Sequence, residues 1–190
     1  MHELRTLAAV SYTHLDVYKR QLYREVQRWR DVWWVMLFVL GLAAMQWWGF
    51  IIQVVGGVPW GNKPAPDGML LVLWLFFGIG FPLFFMWLHL LVEVHPGAIT
   101  VRYRPFIKRV IPLSEIAHVE ARVYRPLAEF GGWGVRGWGK RVAYNVSGNT
   151  GVELTLVDGR RIMLGSRHPA ELAGAIFKAM PGRHDLFQAR

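Results

Sequence analysis

The 190-residue chain contains no cysteine, and this absence excludes several kinds of chemistry. Without a thiol the chain has no disulfide, no thiolate metal ligand and no cysteine nucleophile. The histidines from residue 89 onward are scattered and do not form the H-x-x-x-H or H-E-x-x-H patterns of zinc sites. We therefore predict no catalytic residue, no metal site and no cofactor, and we expect a protein that is not an enzyme.

Charged residues are absent from two apolar runs of 24 residues each, residues 32–55 and 69–92. Because a helix rises about 1.5 Å per residue, each run would reach about 36 Å and cross a hydrocarbon core of about 30 Å. The alternative is a pair of buried helices in a soluble protein, but such helices seldom extend so far without a charged face. The pattern predicts a transmembrane hairpin over residues 22–92, with spans at about 32–55 and 69–92.

Basic residues flank both runs, whereas the segment between them carries only Lys63 and Asp67. Loops rich in lysine and arginine stay on the cytoplasmic side of a membrane. We therefore expect both termini in the cytoplasm and the short connection outside. The flanking cations are Arg24, Arg28 and Arg30 before the first run, and Arg102, Arg104, Lys108 and Arg109 after the second.

Small and helix-breaking residues interrupt the second run at Gly78, Gly80 and Pro82. In a membrane helix they usually indicate close packing or a kink, not a break. We expect the helix to continue through them and to pack closely on a neighbour there.

From residue 93 onward the apolar period changes from helical to alternating, as in half-buried strands. Asp158-Gly159 is a hairpin signal, and residues 169–180 combine an initial proline with an apolar stripe that is typical of a closing helix. The pattern predicts six or seven antiparallel strands capped by one helix. We further expect a short amphipathic helix at residues 22–31 and a long glycine-rich loop at residues 125–140.

Three segments carry a resemblance to a known family: IPLSEI at 111–116, LVDGRRIMLGS at 156–166 and PAELAGAIFKAM at 169–180. They resemble the bacterial PH-like (pleckstrin-homology-like) domains that follow a pair of membrane helices, a family of uncharacterised function. The resemblance implies an α+β membrane protein in which a two-helix transmembrane hairpin precedes a PH-like antiparallel β-barrel or sandwich with a C-terminal helix. It implies a cytoplasmic PH-like domain at residues 93–182, a tail at 183–190 and a place in the bacterial cytoplasmic (inner) membrane.

The segment VSYTHLDVYKRQ, residues 10–21, resembles the translation of a sequencing adapter at all twelve positions. We expect residues 1–21 to be a non-native artefact segment and exclude them from the reasoning about the fold.

Basic residues at outward strand positions and in the glycine-rich loop form the candidate binding site. They are Arg102, Arg104, Arg122, Arg125, Arg136, Lys140 and Arg141. Beside a membrane such charges attract anionic lipid headgroups within a Debye length of about 8 Å. The alternative is an ordinary solvated surface that only obeys the positive-inside bias. We do not expect nucleic acid as a partner, because no recognition motif accompanies the arginines.

The expected function is a non-enzymatic, membrane-anchored PH-like module that docks a protein partner, a second copy of the chain or anionic lipid at the cytoplasmic face. The alternative is a subunit of a membrane transport or envelope-assembly complex that acts through its transmembrane hairpin. Residues 132–137 also fit the dinucleotide pattern G-x-G-x-x-G. That site needs a helix directly after the string, and the following segment is predicted as a strand, so we predict no nucleotide site.

Overall fold

The computed structural model describes residues 21–137 and 139–180, which fall into two units. One is a helical hairpin, Arg28–Leu88; the other, here called the strand unit, combines residues 21–27 with the described residues from His89 onward. The hairpin is therefore inserted between two parts of the strand unit. The predictions for the artefact segment and the C-terminal tail lie outside the described residues, apart from Gln21.

Two helices form the hairpin, α1 (Trp33–Val55) and α2 (Asp67–Trp87), and both are long and apolar enough to cross a membrane. Their hydrogen bonding widens from α-helical to π-helical over Phe50–Val55 and Trp74–Gly80. The helix α2 continues past Gly78, Gly80 and Pro82 to Trp87, as expected.

Small and aromatic residues hold the two helices together. Gly78 packs against α1, since a Cβ built on it would lie at ordinary contact distance, 3.6 Å, from the Cβ of Gln46, and 3.0 Å from Cδ1 of Trp74 on its own helix. The indole Nε1 of Trp47 donates to the Gly78 carbonyl at 3.2 Å, and the Phe50 and Trp74 rings stack with centroids 4.2 Å apart. The predicted close packing at Gly78 is confirmed.

Gln53, a polar residue of the first apolar run, organises the connection between the helices. Its amide nitrogen donates to the Ala65 carbonyl and to a carboxylate oxygen of Asp67, both at 2.7 Å. Its amide oxygen accepts the backbone N–H of Trp60 at 3.2 Å. These bonds explain why a buried glutamine is tolerated at this end of an apolar helix.

The strand unit contains nine strands among the described residues, in two sheets of order β1-β2-β3-β4 and β5-β8-β9-β7-β6. The strands are β1 (Tyr23–Arg28), β2 (His89–His95), β3 (Ala98–Arg104), β4 (Ile107–Pro112), β5 (Ile116–Val123), β6 (Gly134–Arg136), β7 (Arg141–Asn145), β8 (Thr150–Leu156) and β9 (Arg161–Gly165). Two helices accompany them, α3 (Pro126–Phe130) and α4 (Pro169–Ala179). The α+β class is confirmed, and the predicted closing helix is α4.

The second apolar run does not end where the sequence predicts. Leu88 has extended backbone and β2 begins at His89, so the predicted span over residues 69–92 is wrong at its C-terminal end. Leu90, Val92 and Val94 are almost completely buried in the strand unit. A strand buried on both faces continues an apolar run without an alternating pattern, so the helix end was not visible in the sequence.

Residues 22–31 form strand β1 followed by a short 3-10 turn, Trp29–Asp31, and not the predicted amphipathic helix. The strand runs antiparallel to β2, because the Leu22 N–H donates to the Val94 carbonyl and the Trp29 N–H to the Leu88 carbonyl. The burial alternates along β1, but its inward residues, Glu25 and Gln27, are polar. Because the inward positions are polar, the alternation of apolar residues does not reveal this strand in the sequence.

The described sheets do not close into a barrel, and one strand pair is parallel. β7 pairs with β9 in parallel, from Arg141 opposite Arg161 to Tyr144 opposite Leu164. The link from β7 to β8, residues 146–149, spans two strand spacings of about 4.8 Å each, within the reach of four residues. Of the predicted barrel or sandwich, the barrel is therefore not formed, and the expectation that all strands are antiparallel is wrong.

Two local predictions need correction. The β8–β9 hairpin is confirmed, but the Leu156 N–H donates to the Arg160 carbonyl and closes a three-residue turn, residues 157–159, in place of a two-residue turn. Gly159 in this turn has φ +78°. The segment 125–140 is not one long loop, since it contains α3 and β6.

The core of the strand unit lies between its sheets and α4. Val101 on β3, Val119 on β5 and Leu164 on β9 are fully buried, and so are Leu172 and Ile176 on α4. These α4 residues belong to the apolar stripe that predicts this helix.

Candidate functional site

The structure does not bring the seven predicted cations together in one site. Arg102 and Arg104 lie near the end of β3, whereas Arg122 and Arg141 lie on the second sheet beside α3. The remaining three, Arg125, Arg136 and Lys140, are exposed in the segment around α3 and β6. The first two groups differ in whether carboxylates are paired with them.

Arg122 is the centre of an ion-pair cluster that consists of Arg122, Glu129, Arg141, Glu153 and Arg161. Its Nε donates to Glu153 Oε2 at 2.6 Å, and its Nη2 donates to Glu129 Oε2 at 2.7 Å. Gly151 stands opposite Arg122 in the β5–β8 ladder, and Glu153 is the diagonal neighbour that the guanidinium reaches. Arg122, a predicted binding residue, is therefore held by two carboxylates of the strand unit.

The electrostatics agree with this geometry. Burial opposes the charge on Arg122, but the hydrogen bonds and attraction of Glu129 and Glu153 outweigh it and raise the pKa of the guanidinium. The hydrogen bond from Arg122 holds the pKa of Glu129 below its ordinary value. Both groups thus stay ionised around neutral pH.

Two further arginines complete the cluster. Arg141 Nη2 lies 3.4 Å from Glu129 Oε2, and its guanidinium sits 5.4 Å from the centre of the Phe130 ring. Arg161 Nη1 lies 3.7 Å from Glu153 Oε1. Three arginines therefore share two carboxylates, which leaves a net charge of +1 on the five side chains.

The glycine-rich segment has structural uses. The backbone N–H of Gly134 donates to the buried Asn145 side chain at 2.8 Å, and Arg136 Nε donates to the Trp133 carbonyl at 2.8 Å. A Cβ on Gly137 would overlap the Arg141 carbonyl. The next element is strand β7, and not the helix that a dinucleotide site needs.

The basic hairpin, residues 102–108, consists of the end of β3, the turn and the start of β4. Arg102, Arg104 and Lys108 line an open groove of about 370 Å³ together with Pro105, Phe106 and Ile107. None of these three cations forms an ion pair within 4.0 Å among the described residues. The Phe106 side chain at the turn is 68% exposed.

The sequence reasoning treated Lys108 only as flanking charge and did not single out Phe106. The sequence did contain a signal for this site. Phe106 follows Arg104-Pro105 and precedes Lys108 by two residues, and this order indicates an apolar tip between cations.

The strand register places the basic hairpin at a particular end of its sheet. Arg104 pairs with His89, the first residue of β2, and Tyr103 pairs with Ile107. His89 directly follows Leu88, whose N–H bonds to the Phe84 carbonyl and completes α2. The end of β3 that carries the basic hairpin is therefore tied, through one strand pair, to the residue at which the apolar helix ends.

A buried polar cluster around Glu25 was missed by the sequence reasoning. Glu25 is 8% exposed and accepts hydrogen bonds from the hydroxyls of Tyr23 (2.8 Å) and Ser166 (2.6 Å), the Gln27 amide (3.0 Å) and the Arg167 N–H (2.8 Å). Burial raises the pKa of the Tyr23 hydroxyl, although the hydrogen bond with Ser166 opposes this and the Glu25 charge adds to it. The cluster joins β1 to the segment after β9, which is about 140 residues later in the chain.

In residues 21–137 and 139–180, no group of three or more histidine, aspartate and glutamate side chains is arranged to hold a metal ion. The Ser166 hydroxyl donates to Glu25 and accepts the His168 N–H, so it is part of the buried cluster.

A search of curated proteins and a search of solved structures each found no match to the chain. A search of family models found one that is described as a family of unknown function, DUF6141, and it matches residues 18–182. The match covers both apolar helices and all nine described strands. The chain therefore belongs to the family of unknown function DUF6141.

Proposed function

We propose that this protein is a non-enzymatic, membrane-anchored module whose strand unit binds its target at the cytoplasmic face of a bacterial inner membrane. The observation that carries the membrane anchor is the exposure of the two apolar helices. Of 25 large apolar side chains exposed in the described residues, 18 lie on α1 and α2. In the most apolar window of each helix, only 28% and 11% of the residues are buried. A core helix of a soluble protein would be mostly buried, so these surfaces need lipid or another apolar cover.

The orientation follows from the flanking cations, and lysine labelling in intact cells tests it. Lys63 lies in the connection between the helices, and Lys108 lies in the strand unit. A membrane-impermeant amine reagent should modify Lys63 and leave Lys108 and Lys178 unmodified until the cells are opened. Modification of Lys178 from outside would overturn the orientation, and release of the protein from membranes by alkaline carbonate would overturn the anchor.

Two antiparallel-rich sheets with a closing helix support a PH-like assignment for the strand unit. PH-like units are scaffolds that host binding sites, so a binding role suits a chain whose described residues contain no metal cluster. The insertion of the hairpin between β1 and β2 joins the scaffold to the membrane at two adjacent strands.

A second candidate is a subunit of a transport or envelope-assembly complex that acts through the hairpin. The exposed apolar surface of α1 and α2 favours it, because neighbouring helices could cover that surface as well as lipid could. Gly78, by contrast, already packs within the hairpin.

Cutting the chain at Glu93 would not separate these candidates, because it would remove β1 and most of β2 from the strand unit. Replacing residues 28–88 with an unrelated two-helix anchor would separate the two candidates. Partners that cross-link equally to the swapped and natural chains would support binding by the strand unit, and partners lost on swapping would support the hairpin.

A further inference from the structure

The basic hairpin combines two features that fit the interfacial layer of a membrane. An exposed aromatic side chain, Phe106, stands at the tip, and the cations Arg104 and Lys108 flank it. Apolar side chains such as Phe insert at the boundary between headgroups and acyl chains, and lysine and arginine bind the phosphates beside it. The buried Nε–H of Arg102 has no hydrogen-bond acceptor among the described residues.

The position of the basic hairpin limits which anions it can meet. Arg104 pairs with His89, one residue after the cap of α2. Directly opposed residues in an antiparallel ladder have Cα atoms about 4.5–5.5 Å apart. If α2 spans the bilayer, Arg104 therefore stays close to the helix end at the inner leaflet, whatever the tilt of the strand unit. Charges within about 8 Å of an anionic surface are attracted to it at physiological salt.

We propose that the basic hairpin is a binding site for anionic lipid headgroups in the leaflet next to the end of α2, with Arg102, Arg104 and Lys108 binding phosphates and Phe106 inserting among the headgroups. This proposal rests on the proposed membrane anchor, and it names anionic lipid headgroups as the ligand of the strand unit. The ion-pair cluster is not part of the site, because each of its three arginines is paired with Glu129 or Glu153. Its net charge is +1, against +3 for Arg102, Arg104 and Lys108.

The absence of cysteine makes a direct test feasible, since any introduced cysteine is the single thiol of the chain. The full chain is placed in nanodiscs of phosphatidylcholine with and without phosphatidylglycerol, which expose both faces of the bilayer. An environment-sensitive fluorophore is attached at Phe106→Cys, and quenching by spin-labelled lipid reports its contact with the membrane.

The matched control is Val157→Cys with the same fluorophore. Val157 is 66% exposed at the turn between β8 and β9, close to the exposure of Phe106. Its N–H bonds to the Glu115 carbonyl, just beyond the end of β4 that is opposite to the basic hairpin. Two cations, Arg160 and Arg161, lie beside it, and each is paired with a carboxylate, Asp158 and Glu153. The control therefore matches the basic hairpin in formal charge but not in unpaired charge.

We expect quenching at position 106, stronger with phosphatidylglycerol, and little quenching at position 157. The double variant Arg104→Gln with Lys108→Gln should lower the equilibrium constant for lipid contact about thirtyfold, the equivalent of about 1 kcal/mol per cation. The charge-matched pair Arg160→Gln with Arg161→Gln should leave it unchanged. Raising the salt from about 0.15 M to about 1 M should weaken contact, because the Debye length falls from about 8 to about 3 Å.

The outcomes separate this proposal from the proposed function. If the chain stays in the nanodisc but quenching at position 106 is absent, or equal in neutral and anionic lipid, the headgroup site is wrong and the anchor stands. If the chain does not stay in the nanodisc, the anchor itself is wrong. Unchanged emission at position 157 in the double variant shows that the strand unit remains folded.

Discussion

Two groups of basic residues in this protein carry the same formal charge but differ in whether carboxylates are paired with them. In the ion-pair cluster, Arg122 is held between Glu129 and Glu153, with its side chain 20% exposed. In the basic hairpin, Arg104 and Lys108 are exposed and have no carboxylate partner among the described residues. The first group stabilises the fold, whereas the second is available to a ligand.

The difference shows that net charge is a poor measure of the charge that a partner encounters. Residues 93–190 have fifteen basic and eight acidic side chains. Attraction to a charged surface depends on where the uncompensated cations lie. An arginine that is paired with a carboxylate contributes little to it, because the two opposite charges largely cancel at a distance. The comparison leads to four expectations about stability, from the largest to the smallest. Each is measured as the denaturant dependence of thiol labelling at a buried reporter, Val119→Cys, in the detergent-solubilised chain.

The largest loss of stability is expected for Glu25→Leu. Glu25 extends the comparison, because it is a buried carboxylate whose hydrogen-bond donors are uncharged. Removing it leaves the Ser166 hydroxyl and the Arg167 N–H without their acceptor in a buried site. The free energy of unfolding should fall by about 3 kcal/mol. The control Tyr23→Phe removes one donor from a half-buried position and should lose about 1 kcal/mol. Equal losses in the two variants would contradict this account.

Arg122→Gln should lower the free energy of unfolding by about 2 kcal/mol, because it leaves two partly buried carboxylates close together without their main cation. The control Arg161→Gln removes a mostly exposed arginine 3.7 Å from Glu153 and should change stability by less than about 0.5 kcal/mol. A loss at Arg161 as large as that at Arg122 would show that the cluster acts by overall charge alone.

Glu129→Gln should cost about 1 kcal/mol at neutral pH, and the loss should depend on pH in a defined direction. The pKa of Glu129 is lowered in the folded state, so its ionised form stabilises the fold above the unfolded value of about 4.3. That stability is lost as the pH falls through the lower folded pKa. The natural chain and the variant should therefore converge in acid. A constant difference from neutral to acid pH would refute an ionic role.

Arg104→Gln with Lys108→Gln should change the free energy of unfolding by less than about 0.5 kcal/mol, since both side chains are exposed and unpaired in the described structure. The same variant is expected to have the large effect on lipid contact. A loss of stability above about 1 kcal/mol would mean that the basic hairpin has a structural role and would remove the contrast with the ion-pair cluster.

Much of the architecture could be predicted from sequence because its signals are local. Two runs without charge predict the helices α1 and α2, the residues Asp158-Gly159 predict the β8–β9 hairpin, and the stripe after Pro169 predicts α4. Each signal needs only a few neighbouring residues, since helix and turn geometry is set by short-range sterics and hydrogen bonds.

The tertiary structure alone decided where the second apolar helix ends and where the first strand begins. Leu90 and Val92 are as apolar as the helix before them, and they form a strand because β3 and the core provide its partners. Glu25 is buried in a strand because Ser166 and Arg167, far along the chain, supply its hydrogen bonds.

The candidate site divides in the same way. The sequence determined that the strand unit is basic, and it identified Arg102 and Arg104 among the candidates. It could not distinguish them from Arg122, because an ion pair depends on which carboxylate lies within about 4 Å, and residue order does not contain that distance. Glu153 reaches Arg122 only through the register of β5 and β8, and Arg104 reaches the end of the apolar helix only through its pairing with His89.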